Sequence, residues 1–201
     1  MSGVPPLAPR LILASASPRR QELLAQLGFA FTVMPSGIPE DHPAAPPAEA
    51  LVAVALAKAR AVARALPPGD AAVVLGADTE VVLDGRLLGK PRDAADAARI
   101  LRELAGRVHE VITGVAVVAA DQEATAAVTS HVAMRDYDDA EIAAYVATGE
   151  PLDKAGAYAV QGLGGRLVAR VDGCLTNVIG LPTSTARRML AAAGVVPRGA
   201  A

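Results

Sequence analysis

The first third of the chain alternates between apolar and polar blocks that predict a strand, a helix and a second strand. The apolar run over residues 11–14 has the length of a buried strand. Ser17 and Pro18 follow it, and these residue types favour the N-cap and the first turn of a helix. We therefore predict a helix over residues 19–27, ended by a glycine, and a second strand over residues 29–34.

The next blocks differ in composition. Residues 35–47 are rich in proline and predict a loop long enough to cover or line a site. Residues 48–66 predict an alanine-rich, mostly buried helix. The apolar run over residues 72–76 is typical of a strand covered on both faces, so Asp78 is expected just beyond the end of that strand. A hairpin about Asp84-Gly85 is expected to follow.

The second half of the chain predicts two long strands between helices. Residues 108–119 and 124–135 are predicted to form an antiparallel pair, and the capping-box pattern from Asp138 to Glu141 predicts the start of a helix. The remaining predicted elements are a helix over 93–105, a strand over 166–171 and a closing helix that ends near residue 193. Together these elements indicate an α/β fold with a mixed, twisted sheet flanked by helices.

The composition narrows the functional classes. The chain has 201 residues, 52% of them hydrophobic, so we expect a single domain over 1–201 with flexible ends at 1–9 and 195–201. A net charge of −2 and an aromatic content of 2% predict no nucleic-acid partner. The single cysteine, Cys174, excludes an internal disulfide and is expected in the core. The short apolar runs and the lack of a leader segment indicate a cytoplasmic protein without a membrane partner.

Four clusters place charge and glycine where predicted strands give way to loops, the place where open α/β sheets bind ligands. They are residues 15–20, Asp78 with Thr79, Gly89-Lys90-Pro91, and residues 153–162. The first cluster joins a helix N-terminus to Arg19 and Arg20, and such a junction binds anions, with phosphate the natural candidate. The alternative, two solvated arginines in an ordinary first turn, stays open at this point.

The other charged positions have structural alternatives too. Asp78 suits a metal ligand or a general base, but it would also serve to cap a turn. Lys58 interrupts an apolar helix and either extends to water, the commoner case, or meets an anion. Lys90 either binds phosphate or lies in a surface turn. Gln161 offers a donor and an acceptor to a base edge, unless its glycine-rich segment is purely structural.

The residue inventory limits the chemistry. The chain has no local zinc motif, Walker loop or serine-hydrolase elbow, and its histidines, His42, His109 and His131, are scattered. Carboxylates, basic groups and a divalent ion remain. This set suits the attack of water on phosphorus, in which cations offset the developing charge and a carboxylate activates the nucleophile.

Five separated motifs, in order and over nearly the whole chain, closely resemble the Maf family. They are Ser15-Ala-Ser17-Pro-Arg-Arg-Gln-Glu-Leu-Leu, Gly76-Ala-Asp78-Thr79, Gly89-Lys-Pro91, residues 153–162 and Asn177-Val-Ile-Gly-Leu-Pro182. The resemblance implies a nucleoside triphosphate pyrophosphatase that cuts between the α and β phosphates with Mg²⁺ or Mn²⁺. It also implies a fold related to that of the inosine-triphosphate pyrophosphatases, with the site in a cleft between two lobes.

The resemblance also implies roles for residues of this chain. Asp78 corresponds to the family's proton acceptor, and Arg19, Thr79 and Gln161 correspond to the set associated with dTTP and UTP. The other implied ligands are Ser15, Ser17, Arg20, Lys58 and Lys90 for phosphate and substrate, and Asp78 with Glu40 for the metal. Arg19 is thus expected to help select the base, while Arg20 and the serines hold phosphate.

Two other functions remain open. The family name comes from an effect on septum formation, so a non-catalytic, nucleotide-binding regulator of cell division is one alternative. A purine pyrophosphatase of the same fold, acting on ITP, XTP or 7-methyl-GTP, is the other. The 7-methyl-GTP branch is implied to carry a tryptophan, and this chain has none, so pyrimidine specificity is predicted. The family often forms homodimers, which makes a second copy of the chain a candidate partner.

Overall fold

The computed structural model describes residues 9–120 and 122–198, and a seven-stranded sheet forms the centre of this part. The strands are β1 (Leu11–Leu13), β2 (Phe31–Val33), β3 (Val73–Leu83), β4 (Arg86–Leu87), β5 (Val108–Ala119), β6 (Gln122–Met134) and β7 (Val168–Asp172). Their order is β2-β1-β3-β5-β6-β7, and β4 pairs with β3 beside this path. β1 is parallel to β2 and β3, whereas all the other pairs are antiparallel. The predicted mixed α/β fold is confirmed.

Helices flank this sheet. The α-helices are α1 (Pro18–Gln26), α2 (Pro47–Arg64), α3 (Ala94–Leu104), α4 (Asp139–Val146), α5 (Leu175–Ile179) and α6 (Thr183–Ala192). Short 3-10 helices occupy Glu150–Asp153, Ala155–Ala157 and Leu163–Leu167. The capping box that opens α4 is present, with Asp138 and Glu141 each accepting from the other's backbone N–H. The helix α5 was not predicted from the sequence. In the part of the chain that the structure describes, none of these helices combines the length and apolar content needed to cross a membrane.

The helix α2 lies directly on one face of the sheet, because two glycines allow its backbone to approach. A Cβ on Gly76 of β3 would lie 2.3 Å from the carbonyl oxygen of Ala55. A Cβ on Gly114 of β5 would lie 2.4 Å from the carbonyl oxygen of Leu51. Since side chains alternate along a strand, the even-numbered residues of β3 all face this helix. Lys58 of α2 thereby lies over the middle of β3.

The opposite face of β3 carries two separate hydrophobic clusters. Val73 and Ala77 pack with residues of α1 and α6 in the first cluster. Val81 and Leu83 pack with residues of α3 and α4 in the second. Thr79 lies between the two clusters on the strand. This division agrees with the two lobes around a cleft that the family resemblance implied.

The edge of β3 is open between β1 and β4. β1 pairs with the first three residues of β3, and β4 pairs with the last two. The carbonyl groups of Leu75 and Val81 accept hydrogen bonds of 2.8 and 2.9 Å from the segments on this side. Because backbone groups alternate in direction along a strand, those of Ala77 and Thr79 face the same side, but no strand of the described residues lies beside them. The cleft crosses the sheet at this gap.

One sequence prediction about β3 is wrong. The strand was expected to end at residue 76, with Asp78 in the following loop and a separate hairpin arm over residues 80–83. Instead a single strand of 11 residues runs from Val73 to Leu83, and it pairs with β5 over its whole central part. Asp78 is therefore fixed within a strand. The polar residues interrupt the apolar run without ending the strand, because they line the cleft where it crosses β3.

Two smaller expectations concern the end of the chain and Cys174. The first expectation is a flexible end at 195–201. Val195 is buried in the cluster that contains residues of α1 and α6. The N–H of Arg198 donates to the carbonyl of Gly28 at 2.9 Å. Residues 1–8 and 199–201 lie outside the described residues. Cys174 is half-buried rather than in the core, and its Sγ lies 3.2 Å from the hydroxyl of Thr176.

His109 of β5 is buried beside Tyr158, a member of the hydrophobic cluster that α3 and α4 help to form. It is 2% exposed, its Nε2 lies 2.8 Å from the hydroxyl of Tyr158, and its Nδ1 has no partner among the described residues. Burial lowers the pKa of His109 from 6.5 to about 4. The unfolded chain binds a proton below pH 6.5, whereas the folded protein resists it until about pH 4, so stability falls as the pH falls through this window.

We expect the free energy of unfolding of the wild-type protein to fall more steeply than that of His109→Gln as the pH is lowered from 6.5 to about 4. The difference accumulated should reach up to about 3 kcal/mol, because glutamine does not titrate. Urea unfolding at several pH values measures it. His131→Gln, at an exposed histidine, is the control and should follow the wild-type protein. Parallel curves for wild-type protein and His109→Gln would contradict the prediction.

Candidate active site

Asp78, in the middle of β3, lies beneath α2 and the proline-rich loop. Its Oδ1 accepts a hydrogen bond of 2.7 Å from Nζ of Lys58, and its Oδ2 lies 2.7 Å from Nε2 of His42. Asp78 is 5% exposed and Lys58 is 4% exposed. Because an ionised carboxylate only accepts, Nε2 of His42 carries the proton in this contact. Each oxygen of Asp78 keeps a second lone pair.

Lys58 joins two carboxylates. Its Nζ also donates to Oε1 of Glu40 at 2.5 Å, and Nζ of Lys90 donates to Oε2 of Glu40 at 3.2 Å. Partial burial would raise the pKa of Glu40, but the hydrogen bonds and charges of the two lysines lower it from 4.5 to about 2. The commoner alternative for a lysine in an apolar helix, in which the ammonium extends to water, is therefore wrong for Lys58. It meets anions, and these are carboxylates of the protein itself.

Glu80 adds a third carboxylate on the face of β3 that carries Asp78. It is 8% exposed, and its Oε2 has no hydrogen-bond partner within the described residues. Burial and the charge of Asp78 raise the pKa of Glu80 from 4.5 to about 7. Sequence reasoning missed Glu80 because it ended the strand before Asp78. A strand continued past that residue places both carboxylates on one face.

Arg20 of α1 organises the side of the cleft nearest Thr79. Its Nε donates to the carbonyl of Gly180 at 2.9 Å, and its Nη1 donates to Oγ of Ser15 at 3.2 Å. Its Nη2 donates to Oγ1 of Thr79 at 3.0 Å. Burial lowers the pKa of Arg20, although two nearby carboxylates act in the opposite direction. Arg20 thus connects the end of β1, the middle of β3 and the end of α5.

The first turn of α1 carries uncommitted donors. Ser17 is its N-cap residue, as predicted, but the side chain of Ser17 makes no capping hydrogen bond. The N–H groups of the first turn, including those of Arg19 and Arg20, have no acceptor within the helix. The guanidinium of Arg19 also forms no hydrogen bond with another described residue. Such a helix start attracts anions.

The wall opposite α1 is formed by residues 150–164. Glu150 fixes this wall, because its carboxylate accepts hydrogen bonds of 3.0 Å from the backbone N–H groups of Leu163 and Gly164. A Cβ on Gly162 would lie 2.5 Å from Oε1 of Glu150, so a side chain at this position would displace the carboxylate. Gln161 precedes it and faces the cleft. No role for Glu150 was predicted from the sequence.

These groups surround a cavity of about 700 Å³. It is lined by nine of the ten residues that the sequence singled out, namely Ser15, Ser17, Arg19, Arg20, Glu40, Asp78, Thr79, Lys90 and Gln161. The tenth, Lys58, lies behind the lining with its ammonium against Asp78 and Glu40. Sequence reasoning missed His42, because a histidine in a proline-rich loop has no spacing that relates it to a strand 36 residues away.

The carboxylates fit a divalent cation that is held together with a substrate. Magnesium takes oxygen ligands and is commonly bound by one or two carboxylates and the phosphates of a nucleotide. Asp78 and Glu40 contact one ammonium group, and Glu80 keeps an unpartnered oxygen. No group of three or more His, Cys, Asp or Glu within residues 9–120 and 122–198 is arranged as a metal centre. Substrate phosphates would therefore have to supply further ligands.

Comparison with known proteins identifies the family. A family model described as Maf-like protein matches residues 10–193. The chain belongs to the Maf family. A relative from Anaeromyxobacter dehalogenans, named dTTP/UTP pyrophosphatase, is 53% identical over 193 residues, which cover 94% of this chain and 96% of the relative. A relative of the same name from Moorella thermoacetica is 54% identical over 189 residues, which cover 92% and 96%. The Maf resemblance inferred from the motifs is confirmed.

Removal of Lys58 should destabilise the fold, because it leaves Asp78 buried without its cation. We expect Lys58→Met to lower the free energy of unfolding by about 3 kcal/mol or more. Adding Asp78→Asn should recover part of this loss, because a neutral amide needs no cation. Lys90→Met is the matched control, and since its ammonium is exposed, its cost should stay below about 1 kcal/mol. Equal losses for the two lysine variants in urea unfolding would contradict the prediction.

Proposed function

We propose that this protein is a nucleoside triphosphate pyrophosphatase that hydrolyses dTTP and UTP to the monophosphate and pyrophosphate. The observation that carries the proposal is Asp78, a buried carboxylate held by Lys58 and His42 at the edge of a cleft large enough for a nucleotide. The names of the Maf relatives, which cover more than nine tenths of this chain, support the same substrates.

Asp78 is assigned as the proton acceptor for the attacking water. Lys58 and His42 each hold one of its oxygens, which fixes the orientation of the carboxylate before substrate arrives. The remaining lone pairs accept the proton of water as the oxygen attacks phosphorus. Fixed groups of this kind need little reorganisation in the transition state, which is where their catalytic benefit arises.

Lys90 and the first turn of α1, with Ser15 and Ser17, are assigned to the triphosphate. The side chain of Lys90 is 55% exposed. For Arg20 and Lys58 the family resemblance implied phosphate contacts, but Arg20 directs three of its five N–H donors and Lys58 two of its three to groups of the protein. We assign them to positioning Thr79 and Asp78.

Asp78 and Glu40 are assigned to a divalent cation, Mg²⁺ or Mn²⁺, with Glu80 as a further carboxylate within reach of the same region. When bound, such a cation would neutralise phosphate charge and polarise the phosphorus centre. Lys58 and Lys90 keep Glu40 ionised at any pH near neutrality, since they hold the pKa of Glu40 near 2. Thr79, Arg19 and Gln161 are assigned to recognition of the base.

The proposed setting is the cytoplasm, with a single catalytic domain over 1–201, neither nucleic acid nor membrane as a partner, and a homodimer as candidate assembly. The net charge of −2 and the single cysteine support this setting.

The substrate assignment is tested by pyrophosphate release from a panel of dTTP, UTP, CTP, ITP and 7-methyl-GTP. With Mg²⁺ present, we expect the highest kcat/KM for dTTP and UTP, and we expect EDTA to abolish release. Turnover confined to the purine nucleotides would assign a purine pyrophosphatase instead. No release from dTTP or UTP would refute the proposed function.

Asp78→Asn should retain nucleotide binding while losing turnover. Removal of a general base costs about 100- to 10,000-fold in rate, and asparagine keeps the shape of the side chain. Asp84→Asn, at an exposed carboxylate in the hairpin turn, is the matched control and should keep the wild-type rate. The measurement is kcat for UTP alongside calorimetric binding of a non-hydrolysable UTP analogue. An undiminished kcat would remove Asp78 as the proton acceptor.

A further inference from the structure

A buried chain of polar groups connects Thr79 to α5 through β5. Oγ1 of Thr79 lies 2.9 Å from Oγ1 of Thr113, its direct partner in the sheet, and Oγ1 of Thr113 lies 3.1 Å from the carbonyl oxygen of Asn177. Thr113 and Asn177 are both 0% exposed. The side-chain amide of Asn177 donates to the carbonyl of Val111 and to the hydroxyl of Ser130. These two hydrogen bonds fix Asn177 at the end of the series of polar groups.

Counting donors and acceptors leaves two arrangements of the hydroxyl protons of Thr79 and Thr113. In both, Arg20 donates to Oγ1 of Thr79, because a guanidinium has no acceptor. In the first, Thr113 donates to Asn177 and Thr79 donates to Thr113. In the second, Thr113 donates to Thr79, and Thr79 donates to the carbonyl of Gly180 at 3.3 Å. The first uses the shorter contacts. Both use the only proton of the Thr79 hydroxyl, so Thr79 has no donor left for a ligand. The second also fills both lone pairs of Thr79, with protons of Arg20 and Thr113, whereas the first leaves one lone pair free. We therefore take the first arrangement, in which Thr79 can accept a hydrogen bond from a ligand.

We infer that Thr113 is a positioning residue that presents the Thr79 hydroxyl to the cleft as an acceptor, and that the site thereby selects bases with an N–H at ring position 3. This inference rests on the proposed function and deepens it. Thr79 lines the cavity, whereas Thr113 lies behind it and does not. Thr113 therefore acts on a ligand only through Thr79.

The inferred selection follows from the chemistry of the pyrimidines. Uracil and thymine carry an N–H at position 3, which donates to the free lone pair of Thr79. Cytosine carries a bare ring nitrogen there, so two lone pairs would face each other and the nitrogen would lose its hydrogen bond to water. A buried polar group left without a partner is the strongest source of discrimination between ligands of equal size.

The test compares UTP with CTP in Thr113→Val, which removes the hydroxyl at nearly constant volume, and in Thr113→Ser, which keeps it. In Thr113→Val the proton of Thr79 retains only the 3.3 Å contact with Gly180, so the hydroxyl becomes free to turn and donate to cytosine. We expect the ratio of kcat/KM for UTP to that for CTP to fall at least about tenfold, mainly through a lower KM for CTP. Thr113→Ser should restore the wild-type ratio. An unchanged ratio in Thr113→Val, or equal losses in both variants, overturns the inference.

A second measurement uses the wild-type protein and does not depend on the folding of a variant. The triphosphate of 3-methyluridine lacks the N–H, whereas that of 5-methyluridine keeps it and has the same number of atoms. We expect kcat/KM to be at least about tenfold higher for the 5-methyl compound, and equal values overturn the inference. If the wild-type protein hydrolyses neither UTP nor dTTP, the proposed function fails and the inference with it. If it hydrolyses UTP and CTP equally well, the inference alone fails.

Discussion

The close approach of α2 to the sheet is the constraint on which the site depends. Gly76 and Gly114 leave no side chain between the helix backbone and the strands, and any Cβ at either position would collide with the carbonyl groups of α2. At this distance the ammonium of Lys58 reaches Asp78 directly, without extending to solvent. A more distant helix would leave the carboxylate of Asp78 either hydrated or unpaired. Two residues without side chains therefore determine the environment of the central carboxylate.

The charges around Lys58 nearly cancel, and this balance bears on how a triphosphate would be bound. Two lysines, Lys58 and Lys90, face the ionised carboxylates of Asp78 and Glu40, while burial holds the pKa of Glu80 near 7. Such a cluster has little net attraction for an anion. In the proposed function, the additional positive charge would come from Arg19, the start of α1 and a divalent cation.

Much of the fold was predictable, because most strands and helices of this chain follow simple patterns of apolar residues. The antiparallel pair β5–β6, the capped helix α4 and the site motifs were all predicted from local features. The errors in the predicted elements occur where polar residues of the candidate site interrupt an apolar pattern. Asp78, Thr79 and Glu80 interrupt an apolar run, and a rule that ends strands at charged residues places Asp78 and Thr79 in a loop between two separate strands. His42 and Glu150 were missed because their contacts depend on tertiary structure, which leaves no local spacing to detect.

The pairing of β3 with β5 also fixes how the two sides of the site relate to each other. Asp78 and Thr79 are adjacent on β3, so their side chains point to opposite faces of the sheet. Opposite them on β5 stand Gly114, which makes room for α2, and Thr113, which contacts the Thr79 hydroxyl. A slip of one residue would turn Asp78 towards the lobes and Thr79 towards α2. Because the two strands pair without a break from Val73 to Val82, such a slip would disrupt the whole core. The same register therefore places the carboxylate of Asp78 against Lys58 and the hydroxyl of Thr79 against Thr113.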